Sequence, residues 1–431
     1  MKKAVLLGMI GLLALGWAVT AQGLMEGPAR YRSLMEEAGR YESQKIYVSA
    51  IDCYKQALEL KPGSIELNTK IAADYLNLGD EVSFINYCNA VNEEHGYPVG
   101  TALMETDYYM ERQQEKKAIS VLQKALKHHK DSQELLGRYD KLKYTYTDAY
   151  LRFDGMYPFR NDSAVVMNGD RYGLIKPNGN TLMKCGHDWL GPMSDDGEYI
   201  PVADDGEFYY ANSSGYRIEV PRQGQKVEWL GTISGGIAPA KINGKYGYIN
   251  AKFEEQSPFQ WDGASVMKNG IGAVMQGGKW ALINDSYELV TDYIYDDVKM
   301  DEYGFCSISG RIFAKGQQGY IMLDEKGQQV GEQAFEDVRP FLTKEPAAVQ
   351  ISGKWGFAGM DGKLVIEPKY EAAGAFSSGL APVRQGEDWG YVTVKDEMAI
   401  KPQYTEAGSF YKGIAPVKDG NMWTAIVLNI K

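Results

Sequence analysis

Residues 347–376 read AAVQISGKWGFAGMDGKLVIEPKYEAAGAF, and residues 381–410 read APVRQGEDWGYVTVKDEMAIKPQYTEAGSF. A third copy opens at Ala415 as APVKDGNMWTAIVLNI. Trp355, Trp389 and Trp423 are 34 residues apart, each eight after the alanine that opens its copy. A fixed period of this size means a repeat architecture, in which one unit cannot bury its own apolar face and needs a neighbour. Upstream, the tryptophan slot passes through Tyr172, Phe208, Tyr246, Trp280 and Gln318, which makes eight units. Each slot follows a short apolar strand such as SAVVM, IAPAK, RIFAK or LAPVR. Asn168-Gly169, Asp205-Gly206, Asn243-Gly244 and Ser352-Gly353 lie between the two strands and reach the positive φ that tight hairpins demand. Each unit therefore reads as a hairpin, and most add a third strand such as KLVIEPKY.

These units resemble the WG-repeat family of bacterial surface and envelope proteins, marked by K-W-G-[YF], a turn, an isoleucine-proline strand and a tyrosine. Trp355-Gly356-Phe357 with Ile366-Glu367-Pro368-Lys369-Tyr370 carries the full pattern, as does Trp389-Gly390-Tyr391 with Ile400-Lys401-Pro402-Gln403-Tyr404. The resemblance covers residues 155–431. The indole would bury a large area between stacked sheets while the glycine lets another backbone approach closely. Units of this length match small propeller blades, and eight of them would close a ring without exposed sheet edges. An open β-solenoid of hairpins is the alternative.

A second period of 34 runs through residues 24–150, written in Ala, Leu, Glu, Lys and Gln, which favour helix. Tyr41, Tyr75 and Tyr109 recur, as do Ala50, Phe84 and Ala118. YVSAIDCYKQALELKP and KKAISVLQKALKHHKD are versions of one amphipathic helix. The pattern resembles the tetratricopeptide repeat, with Ala38, Ala50, Ala57, Ala72, Ala118 and Ala125 in its small-residue slots. Residues 31–64, 65–98 and 99–132 form three repeats, and residues 133–150 form a capping helix. The second repeat departs most, with Phe84 in a small slot and Gly96 where proline is usual. The resemblance implies a concave groove that holds a peptide or a partner's helix, with a spacer role as the alternative. The fold class expected is thus α + β multidomain, a short α-solenoid followed by an all-β repeat domain.

Lys2-Lys3, the apolar run Ala4 to Val19 and the small residues up to Ala21 make residues 1–21 a signal peptide. The run is shorter than the roughly 20 residues a spanning helix needs. The protein is therefore expected to be exported, to the periplasm or the cell exterior, and not to span a membrane. Its formal charge of −11 argues against a nucleic-acid partner. Four scattered cysteines do not make a disulfide scaffold, and Cys53 with Cys88 reads as two small core residues.

No catalytic motif stands out. The histidines are His95, His128, His129 and His187, three of them in the helical region, which leaves little for a hydrolytic triad or a metal site in the β region. Adjacent helical residues point about 100° apart, so His128-His129 is not a metal pair. Asp195-Asp196-Gly197-Glu198 has calcium-loop chemistry but matches a hairpin turn better. No cofactor is expected. Tryptophans that fall outside the repeated slot, Trp189, Trp229 and Trp261, are the candidates for a binding site. The expected function is a non-catalytic interaction scaffold with a protein or peptide partner. The alternative is a receptor with a carbohydrate or peptide pocket on the β region, and a pocket rimmed by those three tryptophans would favour it.

Overall fold

The structure is a computed structural model that describes residues 27–218 and 226–430. The expected signal peptide lies outside the described residues. The chain divides into two compact units, one through Thr145 and one from Tyr146 to Asn429.

Among the described residues the first unit contains seven helices: α1 (27–43), α2 (Tyr47–Leu60), α3 (Ile65–Leu78), α4 (Glu81–His95), α5 (Val99–Glu111), α6 (Glu115–His128) and α7 (Gln133–Leu142). Their ends are written in the sequence. Ser64 and Asp80 accept the N–H groups of Leu67 and Ser83 at the starts of α3 and α4. Gly79 and Gly96 end those helices in the left-handed conformation. Gly96 thus does the stopping expected of a proline. All six expected alanines are fully buried. Phe84 fits its small slot by packing on Tyr108 of α5, with ring centroids 5.2 Å apart. The capping helix ends at Leu142 rather than 150, because Tyr146–Asp148 is already a strand of the second unit.

The second unit consists of eight small antiparallel sheets. Each contains a two-stranded hairpin preceded by a short strand, of two residues in most units (Gly155–Met156, Trp189–Leu190, Gly263–Ala264). The first strand of all, Tyr146–Asp148, does not begin the first sheet. It pairs with Met422–Leu428 in the last one.

Hairpin register fixes the repeated slot. Met167 lies opposite Tyr172, Lys241 opposite Tyr246, Met275 opposite Trp280, Gln350 opposite Trp355 and Arg384 opposite Trp389. In the fifth unit Lys315 lies opposite Tyr320, so the slot belongs to Tyr320 and not to Gln318. The irregular backbone there, with Gly319 at φ +123° and the carbonyl of Phe335 packed on it, breaks the local sequence pattern.

The glycine after the slot answers to the third strand. A Cβ at Gly356 or Gly390 would lie 2.5 Å from the carbonyl oxygen of Ile366 or Ile400. Gly173 meets the backbone of Cys185 in the same way. These are the units whose third strand is fully laddered, Thr181–His187, Leu364–Tyr370 and Met398–Tyr404. Where the third strand reduces to isolated bridges the position varies, with Ala281, Ile321 and Gly247, the last packed against Phe259 and the Pro258 carbonyl.

The basic residue before the slot ties a unit to the next. Lys245 pairs with Asp262 at 2.5 Å and Lys354 with Glu371 at 3.4 Å, while Arg171 pairs with Asp188 and Lys279 with Asp296. Asp188 and Asp262 also accept turn N–H groups of their own hairpins, from Asp205 and Gly277 at 2.7 and 2.8 Å. Exposed pairs of this kind are individually weak. Their value here is register between neighbouring units.

Candidate functional site

The connection between the short first strand and the hairpin runs six to eight residues in seven of the units, for example 231–236 and 408–413. In the fifth unit it runs twelve, residues 299–310. Asp301 folds this segment on itself by accepting the N–H groups of Tyr303 and Phe305 at 2.9 and 3.0 Å. Its far side reaches the first of the eight β repeats, where Asp301 pairs with Arg160 at 2.7 Å and the Tyr303 hydroxyl donates to the Pro158 carbonyl at 2.6 Å. The Asp301 side chain is 2% exposed, so this ion pair is shielded from water. Gly304 accepts the N–H of Val266 from the fourth unit at 2.8 Å. The segment is therefore a fixed bridge.

Met300, Asp301 and Glu302 line a cavity on either side of it. One, of about 420 Å³, is walled by units one and four to eight, and Trp389 reaches it. Its basic residues are all engaged: Arg160 with Asp301, Lys268 with Asp195, Arg339 with Asp337 and Lys412 with Asp162. Burial works against the charge of Asp195, but Lys268, the Gly235 N–H and Ser234 outweigh it and hold the carboxyl below its usual range. The Asp195 turn is thus committed to these partners. Among the described residues no group of three or more His, Cys, Asp and Glu is placed to hold a metal ion.

The second cavity, of about 370 Å³, is walled by units one, two, three and five. Trp189 and Trp229 both line it, beside Tyr157, Tyr172 and Tyr303. The two tryptophans occupy one structural position in neighbouring sheets. Trp189 lies opposite Ala203 and Trp229 opposite Lys241, on the short first strands. Each leans on the slot aromatic of its own sheet, Trp189 on Phe208 with centroids 6.0 Å apart and Trp229 on Tyr246 at 5.7 Å. Other units carry Gly155, Gly263, Asp297, Asp337, Ala372 and Glu406 there.

Trp261 is not with them. It is 2% exposed, bridges Tyr246, and donates its indole N–H to the Tyr293 hydroxyl at 3.0 Å. Tyr295, Phe335, Tyr370 and Tyr404 face the slot aromatics of their own units in the same way. Trp261 therefore fills a second repeated slot, on the third strand, and belongs to the core. Glu302 is the residue that sequence reasoning missed. It lines both cavities and is exposed within them, and desolvation by the surrounding protein, then the charge of Asp301, push its pKa up against Arg160 and Arg339. The available signal was the extra length of its connection.

A WG containing repeat model matches residues 246–280, 355–387 and 389–423. No curated protein matches the chain. Among solved structures, the first TPR domain of Spaghetti (RPAP3) bound to an HSP90 peptide is 20% identical. It covers 26% of this chain and 90% of its own, with a TM-score of 0.22. Kluyveromyces lactis Hsv2p is 10% identical, covering 64% of this chain and 96% of its own with a TM-score of 0.39. The extracellular domain of a putative hybrid two component system from B. thetaiotaomicron is also 10% identical. It covers 61% of this chain and 43% of its own, with a TM-score of 0.37.

Proposed function

We propose that this repeat protein is a non-catalytic binding protein whose eight-unit β region closes as a propeller around a ligand cavity. The helical repeats serve as a second docking surface for a protein or peptide. Closure is supported by the first strand, Tyr146–Asp148, completing the last sheet. It is supported again by residues 299–310 reaching Pro158 and Arg160, because units one and five stand opposite each other in a ring of eight. An open stack gives no reason for either. The charged amino terminus and the apolar run Ala4 to Val19 support action outside the cytoplasm.

The observation that carries the ligand site is the pairing of Trp189 and Trp229 on one cavity wall. Half-buried indoles that recur in only two of eight equivalent positions are not demanded by the repeat. A concave, mostly apolar cavity with few polar groups is the usual form of a small-ligand site. This favours the receptor over a scaffold that works through its helices alone.

The test is a panel of glycans, short peptides and small metabolites screened against the full chain by thermal shift. Trp189→Ala and Trp229→Ala are run in parallel. Hits that lose affinity in both variants support the cavity. Hits unmoved by either variant, and lost when exposed residues of the helical repeats are changed, would return the protein to the scaffold class.

A further inference from the structure

The smaller cavity has a composition that the larger one lacks. Its wall carries five aromatic rings, no lysine and no arginine. Its acidic residues are Asp301 and Glu302. Asp301 is spent on Arg160 and on the turn of its own segment. Glu302 forms no ion pair with another residue among the described residues, and it is exposed where it lines the cavity. The charged groups facing it are Asp301 from its own segment, Arg160 from the first β repeat and Arg339 from the sixth.

A carboxylate on a cavity wall with no ion-pair partner of its own is available to a cation that enters the cavity. The faces of tryptophan and tyrosine attract a cation within about 6 Å of the ring centre, the more strongly where water is excluded. The fold already uses such contacts. Lys241 sits over Tyr246 at 5.7 Å, Lys315 over Tyr320 at 5.6 Å and Lys418 over Trp423 at 5.9 Å. Tyr172, which faces the cavity, has Met167 as its cross-strand partner and receives no cation from its own hairpin.

We propose that the cavity formed by Tyr157, Tyr172, Trp189, Trp229 and Tyr303 is an aromatic cage for an ammonium group, with Glu302 as its counter-charge. This rests on the proposal that the β region carries the ligand site, and it names the chemistry of that ligand. A quaternary ammonium would be held by the rings and the carboxylate at a distance. A primary ammonium would donate hydrogen bonds to Glu302 directly. In either case the bound cation supplies the direct ion-pair partner that the carboxylate lacks.

Three probes separate the outcomes when titrated into the full chain by calorimetry: choline, its neutral tert-butyl isostere, and a blocked lysine. The expected result is that choline or the blocked lysine binds at a single site while the neutral isostere is at least about tenfold weaker. Glu302→Gln, which keeps size and shape, should weaken the cation by about tenfold or more and leave the neutral isostere unchanged. A circular dichroism melt matching wild type shows that the variant is folded. Equal affinity for cation and isostere, or an unaffected Glu302→Gln variant, would overturn the inference. Failure of both cations, with a neutral glycan or peptide still dependent on Trp189 and Trp229, would sink the ammonium cage and leave the cavity as the ligand site. If no ligand depends on either tryptophan, both fall.

Discussion

Tyr146 pairs with Leu428, so the first strand of the β region completes the sheet built by the last hairpin. The seam continues past the strand. Ala149 donates to the Ala425 carbonyl at 2.8 Å, and Phe153 exchanges backbone hydrogen bonds with Trp423. If the region is a closed ring, this seam is its one non-covalent closure between chain ends. Ala149→Pro removes a donor there and should cost on the order of 1–3 kcal/mol. A fall of several degrees in the main thermal transition is expected, measured by calorimetry on the full chain. A transition within about 1 °C of wild type would mean the region does not depend on closure.

The repeated tryptophans are not equivalent. Trp355 is 5% exposed, packs in the core of its unit, and carries the Arg339 guanidinium 4.6 Å from its ring. Trp389 is half-buried and lines the larger cavity. Trp355→Ala should cost about 3–5 kcal/mol, the range for emptying a buried aromatic site. Trp389→Ala should cost clearly less, since part of its surface already faces open space. Equal losses in chemical denaturation would show that the cavity wall is as tightly packed as the core.

In the helical region Asp74 is 1% exposed, with one carboxylate oxygen left without a partner. Burial, then the charge of Glu42, raise its pKa from 3.8 to about 6, against Lys70 and Asn77. The folded pKa lies above the unfolded one, so the folded state favours the protonated acid. The stability this group allows is fully present below about pH 4, declines as pH rises toward about 6, and stays low above that. Asp74→Asn should therefore stabilise the helical region at pH 7 by on the order of 1–3 kcal/mol, with little gain at pH 4. A variant no more stable than wild type at pH 7 would contradict the burial cost.

All four cysteines are free, and they differ in access. Cys88 and Cys306 are buried to within 1%, and burial raises the thiol pKa of both. Cys53 is 7% exposed, while Cys185 is half-buried near the edge of its sheet. Iodoacetamide on the folded protein should label Cys185 first, with Cys53 slower and Cys88 and Cys306 slowest. Mass-spectrometric detection of a Cys53–Cys88 disulfide, or labelling of Cys88 at the rate of Cys185, would reverse this picture.

Sequence carried the repeats because each slot makes the same physical demand in every unit. Tyr172, Trp280 and Trp389 are legible since an aromatic must fill the space opposite the hairpin's inner strand. The first strands, two residues long in seven units and four in the third, left no trace, because so few residues show no clear alternation. That is why Trp189 and Trp229 are legible only as aromatics out of place, and why Trp261 looks like one of them. Its true slot lies on a third strand that, in its own unit, is reduced to isolated bridges. The bridging segment was hidden by a local error. Placing the slot at Gln318 instead of Tyr320 shortened the apparent spacing and absorbed the inserted length. Glu302 could not stand out among 57 acidic residues until the fold placed it on the cavity walls.

The most direct measurement is fluorine NMR of the full chain labelled with 5-fluorotryptophan, titrated with choline and assigned by single Trp→Phe substitutions. The account predicts that the Trp189 and Trp229 signals shift together along one binding curve while those of Trp261 and Trp355 stay fixed. Binding that moves only Trp389, or that leaves every tryptophan signal in place, would contradict a ligand site between the second and third units.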